Sequence, residues 1–92
     1  MSAELVRFAK QRGFEVKEKP LQANDGRLAG RRIAIRTGAP DKEYILAQEI
    51  AHAYLHTGDT INSPLHSFYE EQADRGAALI LDLIAFMEGG ER

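Results

Sequence analysis

The alternation of apolar and polar positions divides the chain into six stretches. Leu5, Val6, Phe8 and Ala9 fall on one side of a helix that Ser2 can cap and that Gly13 can end in a left-handed conformation. Phe14-Glu15-Val16-Lys17 alternates apolar with charged, the period of a half-buried strand, and Pro20 stops it. Asn24-Asp25-Gly26 marks a turn. Arg27-Leu28 and Arg32-Ile33-Ala34-Ile35-Arg36 then read as two strands folded at Ala29-Gly30 and paired with the first. Gly38-Ala39-Pro40-Asp41 breaks the last strand, and Asp41 caps a second helix from about Lys42 to His56, with Glu43 in its first turn to complement the dipole. Gly58 terminates that helix, and Thr57 to Pro64 is a loop of turn-forming residues. A third helix begins near Ser63 or Ser67, runs through Met87 and ends at Gly89-Gly90. The pattern predicts an α+β domain in which a three-stranded antiparallel sheet packs on the second helix and on a second, long helix behind it.

Size and composition narrow this picture. The 92 residues, 43% hydrophobic, suit one modest core, so residues 1–92 read as a single domain. The most apolar stretch, Gly76 to Met87, is broken by Asp82 and falls short of the roughly 20 residues that cross a bilayer, so no membrane contact is expected. The N-terminal residues have no basic region followed by an apolar core, and there is no cysteine, which fits a cytoplasmic location. A net charge of −2 gives no footprint for nucleic acid. Arg27, Arg31, Arg32 and Arg36 gather in the hairpin, but arginines on a solvent-facing strand also protect an edge, and no direct nucleic-acid contact is expected.

Candidate chemistry lies in the second helix. At 100° per residue, Leu46, Ala47, Ile50, Ala51 and Tyr54 occupy one arc that suits a core face. The remaining arc carries Gln48, His52 and His56 at successive i+4 steps, with Glu49 and Ile45 beside them. A solvated face would collect Lys, Glu and Arg, whereas this one collects an amide, two imidazoles and a carboxylate. Gln48-Glu49-Ile50-Ala51-His52 is the H-E-x-x-H zinc signature with glutamine for the first histidine. In the intact motif two histidines one turn apart hold the metal and the glutamate is the general base. His56, in the last turn, could instead serve the unpaired carbonyls and the negative end of the dipole.

Downstream, Glu70-Glu71-Gln72-Ala73-Asp74 places Glu70 and Asp74 one turn apart on one face of the third helix. A carboxylate reaching across from a neighbouring helix is the third ligand that a His/His/Glu zinc site needs, and an aspartate one turn later could fix a ligand's tautomer. The competing reading is a capping box, in which Ser67 and Glu70 close the start of the helix.

These stretches, Leu46 to His56 and Glu70 to Ala77, together with the strand pair before them, resemble the ImmA/IrrE family of metallopeptidases, whose motif runs roughly L-A-H-E-x-x-H-x-x-L-H and then E-x-x-A-[ND]-x-F-A. The resemblance implies a zincin-like fold with an edge strand that holds an extended substrate. It makes Glu49 the general base, His52 and Glu70 zinc ligands, and Asp74 their supporting partner. It also implies a phage or mobile-element origin and action on a helix-turn-helix repressor as protein partner. Two departures stand out: Gly76 replaces the usual phenylalanine, and Gln48 replaces a ligand.

Glutamine offers a neutral oxygen where imidazole offers nitrogen, and zinc prefers nitrogen, sulfur or charged oxygen. Zinc affinity should fall, and Glu49 is left without an activated water. Catalysis is then weakened or lost, and the alternative to a metallopeptidase is a pseudoenzyme that holds a protein partner without hydrolysis. A shifted site of His52, His56 and Glu70 would make His56 the alternative ligand; His66 is a weaker candidate.

Overall fold

The computed structural model describes residues 3–55 and 66–89, which form α1 (Ala3–Gln11), β1 (Glu15–Lys19), β2 (Gly26–Ala29), β3 (Arg32–Arg36), α2 (Lys42–Leu55) and α3 (His66–Met87). The α+β architecture expected from the hydrophobic pattern is present. Ser2, Ser63 and His56, and the loop of residues 57–64, lie outside the described residues.

The sheet corrects one expectation. Its order is β1-β3-β2, with β3 antiparallel to β2 but parallel to β1, so the sheet is mixed rather than wholly antiparallel. The chain reverses twice, through residues 20–25 and again at the Gly30 turn, so β3 returns in the direction of β1. It inserts between the other two strands instead of adding outside them. Hydrophobicity accounts for the choice: β3 carries Ile33 and Ile35, both buried, whereas β1 and β2 are largely charged or half-exposed and tolerate edge positions.

The core joins Leu5 and Ala9 of α1, Phe14, the two isoleucines of β3, Ile45, Leu46 and Ile50 of α2, and Ile84 of α3. Gly13 ends α1 at φ 84°, as the sequence predicted. Asp41 caps α2 by accepting a hydrogen bond from the Tyr44 amide at 3.2 Å. Two positions on α2 depart from the helical-wheel reading. Ile45, placed with the polar arc, is 8% exposed because β2 covers it; Tyr54, placed with the core, is 55% exposed and keeps only an edge contact with the Phe14 ring at 6.2 Å.

The pair α2 and α3 forms the larger contact in the molecule, and Gly76 explains how closely they approach. A Cβ at Gly76 would lie 3.0 Å from the Ala51 methyl. The small residue that costs helix propensity therefore permits the close packing that brings Glu70 and Asp74 within reach of α2.

Candidate functional site

The i+4 ladder on α2 begins one step earlier than the sequence motif suggested. Tyr44, Gln48 and His52 stand on successive turns and face Glu70 and Asp74 of α3. The Gln48 Nε2 group donates to Asp74 Oδ1 at 2.8 Å and to Glu70 Oε2 at 3.3 Å. His52 Nε2 lies 3.2 Å from the same Glu70 oxygen, which accepts from it in the tautomer that carries the proton on Nε2. The Tyr44 hydroxyl donates to Asp74. His66, one turn before Glu70, approaches its other oxygen at 3.7 Å.

Glu70 is thus engaged by α2, and the capping-box alternative is not how its side chain is used. Ser67 lies within the first turn of α3 rather than ahead of it. Glu70 and Asp74 each act as acceptors for more than one donor, which fixes α3 against α2 by charge-assisted bonds. The Tyr44 phenol is raised to about 12 by its hydrogen bond to Asp74, with burial and the nearby carboxylates adding to the effect. It therefore keeps its proton and remains a donor throughout the neutral range.

Glu49 sits apart from this ladder, beneath the edge strand. A Cβ placed on Gly26 would lie 2.8 Å from Glu49 Oε2 and 2.7 Å from Ile45 Cγ2, so β2 rests on these two side chains and glycine alone leaves them room. Burial pushes the Glu49 carboxyl up to about 7, and the negative charge of Glu70 adds to the rise. A carboxyl raised in this way binds its proton more tightly folded than unfolded. Its contribution to stability is present below about pH 4.5 and is lost as pH rises through about 7. Glu49→Gln should therefore raise the unfolding free energy at pH 8 by about 1–3 kcal/mol and leave it nearly unchanged at pH 4. Chemical denaturation at the two pH values checks this; equal effects at both would show that ionisation of Glu49 is not the cause.

The donor set can be tested against the zinc that the sequence motif implies. A catalytic zinc takes three protein ligands and leaves the fourth position open. His52 and Glu70 supply two. The third corner is the Gln48 amide, whose NH2 faces two carboxylates and has no lone pair to donate. Turning the amide over would set its carbonyl oxygen against the same carboxylates, so the network fixes its orientation. Among the described residues no group of three His, Cys, Asp or Glu side chains could hold a metal. The described residues do not fit a resident zinc; His56, the alternative ligand, lies outside them.

The fold as a whole has a counterpart among solved structures. The chain is similar to the metallopeptidase zymogen of Pyrococcus abyssi abylysin, with a TM-score of 0.50 over 99% of this chain and 98% of that one, at 23% identity. The fold is of the small zincin-like α+β kind. At this identity the likeness establishes the fold. No protein-family model matches the chain, and no curated protein does.

Within this zincin-like frame the structure brings together Gln48, His52, Glu70 and Asp74 and seats Glu49 apart from them beneath β2, within the electrostatic influence of Glu70. The sequence reading missed Tyr44 and Gly26. The first was visible as another i−4 step before Gln48. The second was not, because only the pairing of β2 over α2 reveals what a side chain there would strike. No helix among the described residues is long and apolar enough to cross a membrane.

Proposed function

We propose that this chain is a metallopeptidase-fold protein of the ImmA/IrrE type that acts as a binding module, without zinc-dependent hydrolysis of its own. The observation that carries this reading is the Gln48 amide, which donates to both Glu70 and Asp74 where a zinc ligand would stand. A hydrogen-bonded ladder then does the structural work of the metal, holding α2 to α3.

The module's ligand is an extended segment of a protein partner. Support comes from β2, an edge strand whose outer side pairs with no other strand among the described residues and which lies over α2. Such an edge accepts an added strand through main-chain hydrogen bonds. By resemblance the partner is a helix-turn-helix repressor, the gene belongs to a phage or mobile element, and the site of action is the cytoplasm.

The test uses a helix-turn-helix repressor as the candidate partner. The proposal expects binding that survives a chelator and leaves the repressor intact by mass spectrometry. Cleavage that requires zinc and disappears in Glu49→Gln would overturn it in favour of an active metallopeptidase. Absence of binding under all conditions would remove the repressor as partner.

A further inference from the structure

Net charge hid a feature that the strand register exposes. Along β3, Ile33 and Ile35 point into the core, and Arg32, Ala34 and Arg36 point the other way. The parallel pairing sets Lys17 beside Ala34 and Lys19 beside Arg36, and the hairpin sets Arg27 on the other flank of Ala34. Five cationic side chains from all three strands therefore share one face.

Two carboxylates accompany them. Asp25 grips the Arg36 guanidinium at 2.8 Å, and Glu15 approaches Lys17 at 3.7 Å. Lys19, Arg27 and Arg32 have no carboxylate partner among the described residues. The face is left with an excess of three positive charges on a chain whose net charge is −2. All three helices contribute to the core on the isoleucine side, so among the described residues none covers the basic side. Arg31 is not part of this surface, being held against the Phe14 ring and the Arg12 carbonyl.

We propose that this open sheet face docks on the phosphate backbone of duplex DNA. Among its strand residues the apolar ones are Ala29 and Ala34, and at its margin the Leu21 and Ala23 side of the preceding loop adjoins Arg27. The strand face therefore lacks the aromatic platforms that single strands stack on, the apolar anchors of a protein interface, and the bulky residues that insert into a lipid surface. A duplex asks only for charge, since it presents one negative charge per about 1.7 Å of its axis. Neutralising about three or four phosphates would give sequence-independent binding with a dissociation constant in the range of about 10⁻⁴–10⁻⁶ M.

Fluorescence anisotropy of a short labelled DNA duplex, titrated with the full chain at several salt concentrations, tests the proposal. The logarithm of the binding constant should fall against the logarithm of salt with a slope of about −3 to −4. Lys19→Glu with Arg32→Glu should weaken binding at least about tenfold and shallow the slope, while Arg27→Gln alone should remove about one unit of slope. Arg75→Glu, which removes a guanidinium paired with Glu71 on α3, should change neither. Undetectable binding at low salt, or equal weakening by Arg75→Glu and the sheet variants, would overturn the proposal. So would preference for a single strand, a polyglutamate peptide or an anionic vesicle over the duplex.

Discussion

Gln48→His is expected to raise zinc affinity by more than about a hundredfold, because it supplies the one ligand that the site lacks. The substitution does two things. It removes the NH2 group that now bonds Glu70 and Asp74, freeing the Glu70 carboxylate. It also places an imidazole one turn before His52, the spacing at which two helical histidines share a metal. Asp74, already seated at this position and bonded by Tyr44, is placed to accept the new ring's N–H. Competition titration against a zinc chelator measures the change. An unchanged affinity would mean that His52 and Glu70 no longer form a metal-competent corner, and that the defect extends beyond residue 48. Zinc binding by the variant should also raise its melting temperature with the logarithm of metal concentration, since a ligand that binds only the folded state stabilises it.

The second large effect is expected from Gly26→Val, which should destabilise the domain by about 2–3 kcal/mol, the scale of overpacking in a filled core. The new side chain has no room: its first carbon alone would fall 2.7 Å from Ile45 and 2.8 Å from the Glu49 carboxyl. Either β2 lifts from α2 or Glu49 is driven toward solvent. In the second case its carboxyl returns toward the ordinary range, and the pH dependence of stability attributed to Glu49 disappears. Combining Gly26→Val with Glu49→Ala should recover part of the loss, because the two sites share one contact. Denaturant unfolding of the two single variants and the double variant gives the coupling directly; strictly additive losses would show that the strand and the glutamate do not press on each other.

Much of the fold could be read from the chain because its signals are local. The alternation at Phe14 to Lys17 and the apolar run at Ile33 to Ile35 mark strands, and Gly13 and Asp41 mark helix ends, without knowledge of the rest. Strand direction is not local. The parallel pairing of β1 with β3 depends on which strand best fills the centre of the sheet, a competition among all three that no single segment encodes. The basic sheet face was missed for that reason, since Lys17 and Lys19 join the arginines only through this pairing. The candidate site follows the same division. Gln48, His52, Glu70 and Asp74 were legible through helical spacing on two elements. The orientation of the Gln48 amide was not, because it is set by two carboxylates arriving from another helix.

The central claim is that the Gln48 amide excludes a resident zinc while preserving the zincin-like frame. It is tested most directly by saturating the unaltered chain with zinc, removing free metal by gel filtration and counting bound metal by elemental analysis, with anomalous diffraction to locate any that remains. The account predicts far less than one zinc per chain and no peak between His52 and Glu70. One zinc per chain, at about 2.0–2.2 Å from His52 Nε2 and a Glu70 oxygen, would contradict it.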